Sequence, residues 1–67
     1  MPNQSHLIAA WQSRLTVARG RVADYQQRID SAPLGTSNYR LAIWQRERER
    51  WRKKAHVLQQ KIDENQA

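Results

Sequence analysis

The sequence predicts an all-α protein: an antiparallel two-helix hairpin, coiled-coil-like in its packing, that dimerises into a four-helix bundle. Three observations carry that expectation. Two long segments repeat apolar residues in alternating steps of three and four, a single stretch containing both Pro and Gly separates them, and the 67-residue chain has no Cys to staple a smaller fold. A chain this short buries little surface, so long regular packing and self-association are its available sources of stability.

The first segment places Ile8, Trp11, Leu15, Ala18, Val22, Tyr25, Ile29 and Ala32 on one heptad seam. No position of it is polar, which predicts a helix over about 4–31 in a single hairpin domain that spans the chain. Asn3 or Ser5 is the expected cap, since short polar side chains accept bonds from the free N–H groups of the first turn. Gly20 interrupts the pattern and costs ~1 kcal/mol relative to Ala unless a neighbouring helix packs closely there. Within Ser31–Ser37, Pro33 disfavours helix for Ala32 and Gly35 supplies the positive φ of a tight turn, so the connection falls at about 32–36.

The second helix is expected over about 37–64, with Thr36, Ser37 or Asn38 as its cap. Its seam runs Leu41, Trp44, Arg48, Trp51, Ala55, Leu58 and Ile62, with Arg48 the one polar member. So short a connection makes the helices antiparallel and pairs positions whose numbers sum to about 73. Trp11 then faces Ile62, Leu15 faces Leu58, Ala18 faces Ala55, Val22 faces Trp51 and Ile29 faces Trp44. Arg48 falls beside Tyr25, where a hydrogen bond or cation–π contact would offset its burial. Two helices present only one line of contact, too little to enclose three indoles. A second hairpin is therefore expected to cover them, the alternative being a partner protein on the open side.

Charge narrows the function. Lys and Arg number 12 against 6 acids, for a net charge of +6 and an isoelectric point near 10.9, which favours polyanions or acidic protein surfaces. The apolar run Leu7–Trp11 is too short for a membrane span and lacks a basic leader, so a cytoplasmic protein without a membrane partner is expected. Neither a nucleophile with a base nor a Gly-rich phosphate loop is present, and His6 and His56 fall about 16 Å apart along the hairpin without clustered acids. No enzymatic activity, cofactor or metal is expected.

Arg46–Lys54 is the densest feature, with six basic side chains against Glu47 and Glu49. Pairing of Glu49 with Lys53 and of Glu47 with Arg50 would make part of it a solvated face, at ~0.3 kcal/mol each. The remaining bases point to an anion-binding surface. Trp44 and Trp51 lie on the seam, away from Arg46, Arg50 and Lys53, which favours core packing over stacking on nucleic-acid bases. Behind the seam runs a second stripe: Leu7, Ala10, Arg14, Val17, Arg21 and Arg28 on the first helix, and Tyr39, Ile43, Arg46, Arg50 and Val57 on the second. Arg among apolar and aromatic groups is typical of protein interfaces, because its fork pairs with carboxylates while its stem covers apolar surface.

The expected function is that of a small adaptor or inhibitor, of the accessory kind carried by phages and mobile elements. It binds an acidic protein surface through Arg46, Arg50, Lys53, Arg14, Arg21, Tyr39, Ile43 and Val57. The alternative is nucleic-acid binding by phosphate contacts from the second helix, and a structural assembly subunit is the third reading.

Overall fold

Both seams become the inner faces of two helices, α1 (Asn3–Asp30) and α2 (Asn38–Gln66), in a computed structural model that describes residues 3–66. Helices of 28 and 29 residues span about 42 Å each at 1.5 Å per residue. They lie side by side in a rod whose principal extents are 55 × 14 × 13 Å, and they contact one another along it. All described residues outside the helices belong to the connection. The expected cap at Asn3 involves a side chain outside the described residues, and Ser5 lies inside the first turn of α1 rather than before it.

Local chemistry accounts for the reversal of the chain. The Ser31 backbone N–H and hydroxyl both donate to the Gln27 carbonyl, at 2.9 and 2.6 Å, closing the last turn of α1. The Thr36 N–H then donates to the Pro33 carbonyl at 3.1 Å across a four-residue turn, and Gly35 at its third position has φ of +91°. That is the signature of a type II turn, in which an L side chain at this position is strained. Of the three candidate caps for α2, Ser37 takes the role: its Oγ accepts the Arg40 N–H at 3.1 Å, and its carbonyl accepts the first helical bond from Leu41. Leu34 at the tip is fully exposed.

The antiparallel register appears in the contacts that cross between helices. Arg48 Nη1 donates to Gln26 Oε1 at 2.6 Å, Lys61 covers the Trp11 ring, and Arg21 covers Trp51. These pairs sum to within one or two of the expected register. None of the seam side chains is exposed, but only Leu15, Ala18 and Ile62 are buried; Trp11, Trp44 and Trp51 are half-buried. One line of contact closes over small and branched side chains and leaves part of each indole in solvent.

Two pairings differ from expectation. Arg48 turns to Gln26 and not to Tyr25, whose ring is covered by Arg28 at 5.2 Å. The reason is rotational: Arg48 leans to one flank of the α2 seam and Tyr25 to the opposite flank of α1. Glu49 pairs with Arg52 at 2.8 Å, three residues on, in place of Lys53, while Glu47 meets Arg50 at 3.8 Å as expected. Gly20 is exposed, and a Cβ built there meets nothing within 4 Å, so close helix packing does not explain it.

These observations predict opposite effects at the two glycines. Gly20→Ala should raise stability by about 0.4–1 kcal/mol, since the native φ suits Ala and space is free. Gly35→Ala should lower it by about 1 kcal/mol or more, because the positive φ must be kept or the turn rebuilt. Urea denaturation of the two variants beside wild type checks both. Leu15→Ala, in the buried part of the seam, is expected to cost about 2–4 kcal/mol by the same assay.

Candidate functional site

A hairpin of two helices has two open sides, and here they differ in chemistry. Winding at about 100° per residue puts Leu7, Ala10, Arg14, Val17, Arg21 and Arg28 on one flank of the α1 seam, and Thr16, Arg19, Ala23 and Gln26 on the other. On α2 the corresponding flanks carry Ile43, Glu47, Arg50, Lys54 and Lys61, and Gln45, Arg52 and Gln59.

The second of these sides is closed by a polar ladder. Arg19 Nη2 donates to Gln59 Oε1 at 2.8 Å, and Gln59 Nε2 donates onward to Asp63 at 2.8 Å. Nearer the turn, Arg48 donates to Gln26, whose Nε2 donates to Asp30 at 2.8 Å. Each amide uses its oxygen toward an Arg on the other helix and its nitrogen toward a carboxylate on its own, so both amides are satisfied, while the Nε of Arg48 is buried without a hydrogen-bond partner.

The first side is apolar at its floor and cationic at its edges. Arg14, Val17 and Ala18 of α1, with Trp51, Lys54 and Leu58 of α2, line a groove of about 350 Å³, and Ser13 adds to its outer wall. A shallower continuation is lined by Lys53, Lys54, Val57 and Leu58. Lys54 Nζ lies 4.6 Å from the centre of the Trp51 ring and the Arg21 guanidinium 5.9 Å from it. Lys61 stands over Trp11 at 6.0 Å. Their cationic groups stand over ring surface that the opposite helix leaves open. Among the described residues, no carboxylate lies within ion-pair distance of Arg14, Arg21, Lys54 or Lys61.

The residues singled out from sequence divide on this map. Arg14 lines the groove, Arg21 sits over Trp51, and Val57 adjoins along the continuation. Lys53 lines that continuation as well, although its backbone position is opposite the α2 seam; Arg46 projects from the far side, and Arg50 is held near Glu47. Tyr39 and Ile43 are exposed near the turn, about 27 and 21 Å along α2 from Val57 at the rise of a helix, so the eight residues do not form one compact patch. Lys54 and Lys61 were absent from the expected set. Lys54 was open to inference, since it follows Trp51 by three residues; Lys61 reaches Trp11 only through the tertiary register.

His6 and His56 are exposed, and no group of three metal-binding side chains occurs among the described residues. No helix of the described residues is long and apolar enough to cross a membrane. No family model, curated protein or solved structure matches the chain.

The Trp51 stack is open to a direct test. A double-mutant cycle between Lys54→Met and Trp51→Leu should give a coupling of about 0.5 kcal/mol in chemical denaturation, within the range of exposed cation–π pairs. Strict additivity would mean that the two side chains do not interact in solution.

Proposed function

We propose that this hairpin is a non-enzymatic adaptor or inhibitor that binds an acidic surface of another protein through its basic, partly apolar side. One observation carries the reading: the apolar groove and the cations without carboxylate partners lie on the same side of the rod. An acidic partner gains there twice, by covering half-exposed apolar groups and by supplying carboxylates to Arg14, Arg21, Lys54 and Lys61. Arg46, Arg50 and Lys53 extend the positive field around α2 and promote encounter with the same partner.

Self-association is the second reading, favoured by a core of only three buried side chains among the described residues. Another hairpin would cover the indoles as a four-helix bundle does. A symmetric contact through the basic side, however, sets each cationic edge against its own copy, because an isologous interface joins one patch to itself. That repulsion favours an acidic partner over a second copy on this side.

Two measurements separate the readings. Reversal of Arg14, Arg21 and Lys54 to Glu should leave helicity intact yet lower affinity for a co-purifying partner, recovered after nuclease treatment, by tenfold or more; reversal of Arg46, Arg50 and Lys53 should act mainly on the association rate. Retention of full affinity by both folded triple variants would remove the basic surface from the function. Sedimentation at tens of micromolar should give a monomer that the acidic partner converts to a complex; a stable dimer of wild type would favour self-association.

A further inference from the structure

The groove has a shape and a chemistry that select among acidic partners. Its walls are two antiparallel helices, and its floor is Val17, Ala18, Trp51 and Leu58. All backbone groups in the middle of α1 and α2 are bonded within their own helices, so an occupant finds no main-chain ladder to join and must satisfy its own backbone. A helix does this, and the cleft between two packed helices is the place a third helix takes in a bundle. The flank from Leu7 to Arg21 runs about 21 Å at helical rise, room for about four turns.

Charge sets the rest of the occupant's character. Cations stand on both shoulders of the floor, Arg14 and Arg21 along α1 and Lys54 and Lys61 along α2, with no carboxylate within ion-pair distance among the described residues. A second copy presents the same cations and is repelled. A nucleic-acid backbone meets the cations but leaves Val17, Leu58 and the Trp51 face wet. We infer that the groove takes one amphipathic α-helix of a partner protein. Its apolar stripe lies on Val17, Trp51 and Leu58, and its Glu or Asp residues on both shoulders meet Arg14, Arg21, Lys54 and Lys61, so that the complex is a three-helix bundle. This rests on the reading of the basic side as a protein-binding surface and deepens it to one kind of ligand. Lys54, whose ammonium stands over Trp51 in the free hairpin, swings off the ring to meet a carboxylate as the stripe settles there.

The test is selection from a displayed library of 18-residue helices against the immobilised full-length protein. An apolar stripe is held at helical spacing, and the flanking positions are drawn from Glu, Gln and Lys. Glu should be enriched on both flanks. Peptides made from the enriched sequences should gain helicity on binding, and should bind at least tenfold more weakly to Val17→Glu and to the Arg14→Glu/Lys54→Glu double variant. Val17 is 55% exposed, so Val17→Glu should fold normally, as circular dichroism would verify. Glu-rich peptides that ignore Val17→Glu but are lost on reversal of Arg46 and Arg50 would overturn the groove assignment and leave the basic surface standing. Absence of Glu enrichment, or displacement of the peptides by duplex DNA at equal concentration, would overturn both. A wild-type dimer that Val17→Glu converts to monomer would give the groove to a second copy and overturn the inference.

Discussion

Two helices share one line of contact, and the alternating three-and-four seam between α1 and α2 has to supply nearly all the apolar burial that this chain achieves. Leu15, Ala18 and Ile62 complete it; the three indoles, placed on the same seam, do not fit within it and remain half-buried. The large side chains contribute most apolar area to the contact and also leave the most area uncovered. What happens to that remainder shapes both open sides of the rod.

On one side the remainder is enclosed by polar bridges. Arg19 with Gln59 and Arg48 with Gln26 span the helices, each amide also bonded to a carboxylate. A partner docking there would strip water from amides already bonded at both ends and gain little from them in exchange. On the other side the aromatic faces lie under the cationic groups of Arg21, Arg28, Lys54 and Lys61. On the proposed reading, the same cations that cover the indoles in the free hairpin would also meet an anionic partner. Stability and the proposed recognition would then draw on the same side chains, as expected of a protein with so little interior.

Much of the fold was legible in the residues themselves. Seam positions carry their own signal at helical spacing, and Pro33, Gly35 and Ser37 do their work within a few residues, so the reversal of the chain follows from local chemistry. The side-chain pairings were less legible. Arg48 had a phenol and an amide in reach along the sequence register, and only its lean to the Gln26 flank decided between them. Glu49 had basic neighbours at three and four residues, and rotamer choice settled on Arg52. The cationic cover of Trp11 by Lys61 has no local signal at all, since the two residues meet only when the chain closes on itself.

By itself the sequence determined two amphipathic helices, the turn between them, their antiparallel course and the strong positive charge, because periodicity, turn chemistry and composition are properties of neighbouring residues or of their sum. Only the tertiary structure decided which flank of α1 shares a side with which flank of α2. That choice joined Arg14 and Val17 to Trp51, Lys54 and Leu58 in one groove and left Arg46 behind it. The reason is geometric: the faces of a helix are set by its own winding, but a surface made by two helices depends on the hand and register with which they meet.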